Sequence, residues 1–135
     1  MIGVLVISHG AIGETLLASA EQILGAKQLR AAALGVSRND DPEAVLERAR
    51  ALAARLDDGG GVLVLTDMFG ATPCNIATRL LADGRVEGVA GVSLPMLVRV
   101  LSGRKGPLAA LVQRALSGGA EGVVHMNSDR CGDKR

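Results

Sequence analysis

The sequence predicts an α/β fold: a single three-layer domain with a mainly parallel sheet of order 2-1-3-4, helices on both faces and an extra C-terminal strand. Short apolar runs alternate with stretches of helical periodicity along most of the 135 residues, as is typical of βαβ units. The runs at residues 2–8 and 61–66 are almost unbroken, which predicts strands buried on both faces. The length fits one domain, at residues 1–127, followed by a charged tail at residues 128–135.

The first half of the chain predicts two strands and two helices. The strand at residues 2–8 leads into a helix at residues 13–24, and Gly25 stands where a C-cap glycine is expected. An Ala-rich second strand follows at residues 29–36. An aspartate before Pro42 then predicts the N-cap and first residue of a second helix, which ends near residue 56.

The second half continues the alternation. After the strand at residues 61–66, Thr72 and Pro73 predict the N-cap and first residue of a third helix. This third helix is expected to end near residue 82 and to be followed by a strand at residues 86–92. A helix capped by Ser93 should then end at residue 101, and after a break at residues 103–107 a last helix should run to residue 117. Residues 120–127 then predict a single strand that lies on the sheet edge or pairs with another subunit.

Composition excludes several classes of function. The formal net charge is +1, so no overall field favours nucleic acid or an anionic membrane. Phe69 is the one aromatic residue, which removes the platforms on which bases stack. No apolar stretch approaches the ~20 residues that span a bilayer, and the N-terminus does not resemble a signal peptide. We therefore expect a cytoplasmic protein in which Cys74 and Cys131 are free thiols.

Polar side chains follow two strands that the predicted order makes neighbours. His9 ends the first strand, and Asp67 follows the strand at residues 61–66. Both should face the crevice at the switch point of the sheet. A carboxylate bonded to one imidazole N–H leaves the other nitrogen free as a nucleophile or base. With the helix start at Thr72 favouring an anion nearby, the set indicates phosphoryl transfer through a phosphohistidine.

Each piece also has a structural interpretation. Asp67 can stabilise a turn, Thr72 can simply start a helix, and Gly70 can serve turn geometry alone. No nucleotide-binding fingerprint is present, so direct transfer from ATP is not expected. Ser8 adjoins His9 on a strand, where successive side chains point to opposite faces, which disfavours a Ser-His-Asp hydrolase. His125 is expected at the surface or in an interface.

Three stretches carry a family resemblance: VISHG at residues 6–10, LTDMFGATPCN at 65–75 and GVSLPML at 91–97. Together they resemble the IIA domain of the mannose-type sugar phosphotransferase system, over roughly residues 1–127. The IIA-like subunit of dihydroxyacetone kinase also begins with a strand that ends in histidine. The second and third stretches favour the mannose type.

The resemblance implies a role for each site residue. His9 would accept phosphate from the phosphocarrier HPr and pass it to a IIB component, Asp67 would orient the ring, and the Thr72 hydroxyl would lie beside the phosphate. The family also implies a homodimer that exchanges a C-terminal strand. The loop residues expected to support the bound phosphate are Gly10, Phe69, Gly70 and Ala71.

Two alternatives remain at this stage. The chain could instead be a regulatory phosphoprotein whose His9 phosphorylation state controls a partner without sugar transport. It could also be a small-ligand or metal-binding domain that uses His9 and His125. The sugar itself is not predicted, since specificity in such a system resides in other components.

Overall fold

The computed structural model describes residues 1–129 and residue 131, and these form a single α/β domain. The predicted class and order are confirmed: the sheet has the order β2-β1-β3-β4 and every neighbouring pair is parallel. In chain order the elements are β1 (Gly3–His9), α1 (Ile12–Leu24), β2 (Ala31–Val36), α2 (Pro42–Leu56), β3 (Val62–Thr66), α3 (Thr72–Thr78), β4 (Val86–Ala90), α4 (Leu94–Leu101) and α5 (Leu108–Glu121).

The two central strands, β1 and β3, are buried on both faces, because alternate side chains enter two separate cores. Val4 and Val6 pack in the core that includes buried residues of α4 and α5. Leu5 and Ile7 pack in the opposite core with buried residues of α2 and α3. The register pairs Ile7 with Thr66, so the residues that follow both strands emerge at the same edge of the sheet.

Several helix boundaries follow from the end residues that the sequence offers. The Asp41 carboxylate accepts from the Glu43 N–H at 3.3 Å at the start of α2, with Pro42 as the first helical residue. The Ser93 hydroxyl accepts from the Met96 N–H at 3.3 Å at the start of α4. Gly25 ends α1 with a φ of 75°, in the left-handed region. These predicted caps are confirmed.

The prediction for α3 is wrong at both ends. The N-cap is Ala71 rather than Thr72, and Ala71 makes no side-chain hydrogen bond to the helix. The helix ends at Thr78 rather than near residue 82. The Thr78 hydroxyl donates to the Cys74 carbonyl at 2.9 Å, and the Arg79 N–H then bonds three residues back. Such i→i+3 bonds tighten the chain and close a helix.

The last helix is longer than the sequence predicts and continues to Glu121 instead of Ser117. Gly118 is buried against α4, where a Cβ would lie 3.2 Å from the Met96 Cα, so the glycine permits close helix packing. Arg99 of α4 also pairs with Glu121 at 2.8 Å and holds the final turn. The start of the predicted strand at residues 120–127 is therefore helical.

Residues 122–129 lie outside the helices and strands, so the extra strand is not formed within the single chain. A strand needs a neighbour for its backbone hydrogen bonds, and these residues pair with none in the described chain. Val123 is 85% exposed. Of the charged tail predicted at residues 128–135, residues 130 and 132–135 lie outside the described residues. No helix in the described part of the chain has both the length and the apolar character to cross a membrane.

Candidate active site

His9 and Asp67 meet at the carboxyl edge of the sheet. His9 is the last residue of β1, and Asp67 follows the end of β3 on the neighbouring strand. One carboxylate oxygen, Oδ2, accepts from the His9 backbone N–H at 3.0 Å and lies 2.9 Å from ring Nδ1. The His9 side chain is 48% exposed, whereas the Asp67 side chain is 11% exposed. The carboxylate therefore lies beneath a ring that faces solvent.

The ionisation of Asp67 determines which nitrogen of the neutral His9 ring carries the proton. Burial raises the pKa of the Asp67 carboxyl, but the hydrogen bonds from the His9 ring, the His9 N–H and the Asp67 backbone, together with the charge attraction of His9, lower it more, and the net pKa lies below the ordinary 3.8. Asp67 is thus a carboxylate at neutral pH and can only accept hydrogen bonds. In the neutral ring the proton consequently belongs on Nδ1. The lone pair on Nε2 is directed away from the carboxylate.

The turn after β1 is fixed by contacts that sequence reasoning missed. The buried Ser8 hydroxyl accepts from the Gly13 N–H at 2.7 Å and so supports the start of α1. Gly10 has a φ of 50° and donates its N–H to the Val36 carbonyl at 3.0 Å. A Cβ on Gly35 would overlap the Gly10 carbonyl oxygen. The glycines therefore let β2 approach the backbone next to His9.

A groove of about 250 Å³ opens beside His9. Thr72 and Pro73 line it from the start of α3, so the structure places Thr72 in the same groove as the histidine. Arg38 and Asp40 line it from the loop after β2, and sequence reasoning singled out neither. The remaining residues of the lining are Val36, Ser37, Pro42 and Val45.

Phe69 does not line this groove. It is 83% exposed and borders a different cavity of about 130 Å³, between α3 and β4, together with Thr66 and Cys74. Gly70 has a φ of 85°, which explains a glycine at that turn position. Ala71 adopts extended backbone as the N-cap of α3. The loop between β3 and α3 therefore places Phe69 away from the groove that Thr72 shares with His9.

The second histidine and the two cysteines lie apart from the His9 groove lining. His125 is exposed, and its Nδ1 lies 3.0 Å from the Ser128 hydroxyl. Cys74 is buried, Cys131 is exposed, and both are free thiols. Within the described residues, no three or more His, Cys, Asp or Glu side chains cluster as metal ligands would.

Comparison with known proteins places the chain in a family. The model of the EIIA-man family, described as the PTS system fructose IIA component, matches residues 3–115. The chain belongs to this mannose-type IIA family. It is 32% identical over 106 residues to the PTS system fructose-specific EIIA component of Bacillus subtilis, a match that covers 78% of this chain and 72% of that protein.

The PTS system mannose-specific EIIAB component of Escherichia coli K12 is also similar to this IIA chain. The two are 36% identical over 125 residues, which is 90% of this chain. The chain spans only 38% of the length of that relative. The family assignment by itself does not identify the residues that carry out the family's chemistry.

Solved structures give the same assignment. The EIIA component from Streptococcus agalactiae superposes with a TM-score of 0.84 and 25% identity, covering 95% of this chain and 99% of that one. The PTS IIA protein associated with the fucose utilization operon of Streptococcus pneumoniae gives a TM-score of 0.82 and 26% identity, covering 93% of each chain. The mannose-type IIA fold is thus present over nearly the whole chain.

Proposed function

We propose that this mannose-type IIA protein is a cytoplasmic phosphocarrier, which accepts phosphate from phospho-HPr on Nε2 of His9 and passes it to a IIB component. The observation that carries the proposal is the His9–Asp67 pair. Nδ1 of His9 lies 2.9 Å from the Asp67 carboxylate and is engaged by that hydrogen bond, while the His9 side chain is 48% exposed. A partner protein can therefore bring a phosphoryl group to the other ring nitrogen.

The transfer requires one bond to form and one to break. Nε2 of His9 attacks the phosphorus of the donor phosphohistidine, and the bond from phosphorus to the donor nitrogen breaks, with its electron pair returning to the donor imidazole. The proton on Nδ1 stays in place, so the His9 ring gains positive character. The ionised Asp67 balances that charge through the hydrogen bond. Passage to a IIB side chain reverses these changes at His9.

The start of α3 supports the same chemistry. Thr72 lines the groove beside His9 and can donate its hydroxyl proton to a phosphoryl oxygen. Ala71 supplies no side-chain acceptor to the first turn of the helix. No N-cap side chain would therefore compete with a bound anion for the N–H groups of this first turn.

The test is phosphorylation by phosphoenolpyruvate, enzyme I and HPr. The wild-type chain should take up acid-labile phosphate, and His9→Ala should take up none. The chain has two histidines, so His125→Ala is the matched control and should label as the wild type does. Equal labelling of His9→Ala and the wild type would refute the proposal. A chase with a IIB protein then tests onward transfer: retention of the label would favour a regulatory role for the phosphoprotein.

We also propose that residues 122–127 pair with a second copy of the chain as an exchanged strand, giving a homodimer. One side of β4 is paired with β3, and within the described residues no strand occupies the other side. Val123, Val124 and Met126 are 85%, 50% and 66% exposed, so this segment presents apolar side chains without a core.

The oligomeric state tests this arrangement. Light scattering should give a dimer for the wild type and a monomer for the double variant Val123→Asp, Val124→Asp. Leu29→Asp places the same charge at another exposed apolar side chain, at 73% exposure, and should remain a dimer. A monomeric wild type, or a double variant that stays dimeric, would contradict strand exchange.

A further inference from the structure

The groove beside His9 contains a guanidinium that the transfer described above leaves unused. Arg38 lies in the loop between β2 and α2 and lines the same groove as His9 and Thr72. Its side chain makes no hydrogen bond or ion pair within the described residues, and the residue is exposed. All five N–H donors of the guanidinium are thus available to a ligand.

The loop itself is held in a defined shape. The Asp40 carboxylate accepts from the Ser37 N–H at 2.8 Å, and the Asp40 N–H donates to the Ser37 carbonyl at 3.1 Å. These bonds close a turn around Arg38 and engage Asp40 with the backbone rather than with the arginine. The groove therefore presents Arg38 as a cation without a paired carboxylate.

The charge balance in the groove indicates what this cation binds. A phosphoryl group carries a charge of about −1.5 to −2 at neutral pH. Bound to His9, it would share the site with two carboxylates, Asp67 beneath the ring and Asp40 in the groove wall. Among the described residues that line the groove, Arg38 alone carries a permanent positive charge. A guanidinium also matches the geometry of phosphoryl oxygens with two parallel N–H donors.

We infer that Arg38 binds the phosphoryl oxygens on phosphorylated His9 and shifts the transfer equilibrium from HPr towards this protein. The inference rests on the proposed function and deepens it, since it assigns the residue that stabilises the phosphorylated form. Arg38 takes no proton and forms no covalent bond in the transfer.

The transfer equilibrium between phospho-HPr and this protein is the measurement that tests the inference. Arg38→Ala should lower the equilibrium constant for phosphorylation of His9 by about tenfold or more, as expected for loss of a charge-assisted hydrogen bond. Arg38→Lys should recover part of the loss, because it keeps the charge without the paired donors. Arg48→Ala removes the same charge from an exposed position on α2 outside the groove lining and should match the wild type.

A small donor distinguishes contact with the phosphoryl group from docking of HPr. Phosphoramidate carries a phosphoryl group but no protein surface, so Arg38→Ala should also reduce labelling of His9 by this reagent. If Arg38→Ala impairs labelling by phospho-HPr but not by phosphoramidate, Arg38 serves partner docking and the inference is overturned. Arg38→Ala with wild-type behaviour towards both donors overturns it as well.

The failures of the two proposals are distinguishable. If wild-type protein takes phosphate on His9 and Arg38→Ala takes it equally well, the phosphocarrier proposal survives and the role of Arg38 does not. If the wild type takes no phosphate from either donor, both fail. Thermal unfolding of each variant confirms that the exposed substitution has left the fold intact.

Discussion

Asp67 uses a single carboxylate oxygen to hold both the backbone and the ring of His9, with contacts of 3.0 Å to the backbone nitrogen and 2.9 Å to Nδ1. The ring therefore cannot turn about its side-chain torsions without losing the second contact. Since the first contact joins the ends of β1 and β3, the same carboxylate links the sheet to the orientation of the imidazole. The orientation of the His9 ring and the pairing of β1 with β3 are coupled at this point.

Asp67→Asn should slow phosphorylation of His9 by about two to four orders of magnitude, the usual range for loss of a positioned acid–base partner. The amide keeps an acceptor oxygen but no longer balances the positive charge that develops on the ring. Initial rates of labelling by phospho-HPr measure the effect. Asp83→Asn, at an exposed position outside the groove lining, is the matched control and should label at the wild-type rate. An unimpaired Asp67→Asn variant would show that the carboxylate is only structural.

Ser8→Ala should destabilise the fold while leaving a correctly formed site able to label. The Ser8 hydroxyl is buried and is the acceptor for the Gly13 N–H at 2.7 Å. Its removal leaves that N–H without this partner, which costs about 1–3 kcal/mol. Urea unfolding should show a lower midpoint with an unchanged slope. Ser102→Ala provides an exposed serine for comparison and should cost less. Equal stabilities of the two variants would mean that the buried contact contributes little.

The sheet and the His9–Asp67 pair were predictable from the sequence for the same reason. Buried parallel strands need continuous apolar runs, and their carboxyl ends lie at one edge, so polar residues that follow neighbouring runs must approach each other. No local pattern, in contrast, places Arg38 near His9. That proximity depends on the turn between Ser37 and Asp40, whose hydrogen bonds are made by ordinary loop residues.

Several helix caps were predictable, but the ends of α3 and the end of α5 were not. The last helix was expected to end at residue 117, but the lack of a side chain at Gly118 lets α5 pack on α4, and the helix continues to Glu121. Thr72 before a proline read as an N-cap, but Ala71 occupies that position. The importance of Gly35 was equally hidden, since its neighbour Gly10 is distant in sequence and approaches only in the folded sheet.

Gly35→Ala should impair both stability and phosphorylation. The added Cβ would overlap the Gly10 carbonyl oxygen, so the turn that follows His9 has to move. Overpacking of this kind costs about 1–3 kcal/mol. Gly106→Ala meets no atom within 4 Å and is the neutral control. Unfolding midpoints and labelling rates of the two variants test the expectation. If Gly35→Ala labels normally, the approach of β2 does not control the position of His9.

Asp57→Asn should lower stability in a pH-dependent way. Asp57 Oδ1 accepts from the Gly59 and Gly61 N–H groups at 2.8 and 3.0 Å, and Oδ2 accepts from Arg85 at 2.9 Å. The glycine N–H groups, followed by Arg85, hold the pKa of the Asp57 carboxyl below its ordinary 3.8. A carboxyl whose pKa is lowered by folding stabilises the native state above its unfolded pKa. That contribution disappears as the pH falls through the lowered value.

The stability difference between the wild type and Asp57→Asn should therefore be full at pH 7, at about 1–2 kcal/mol, and should shrink as the pH falls below 3.8. Urea unfolding at a series of pH values measures it. Asp83→Asn provides the comparison, because an exposed carboxyl without a hydrogen bond in the described residues should give a small difference at every pH. If the stability difference between the wild type and Asp57→Asn stays constant down to acid pH, the shape of the side chain, rather than its charge, stabilises the turn before β3.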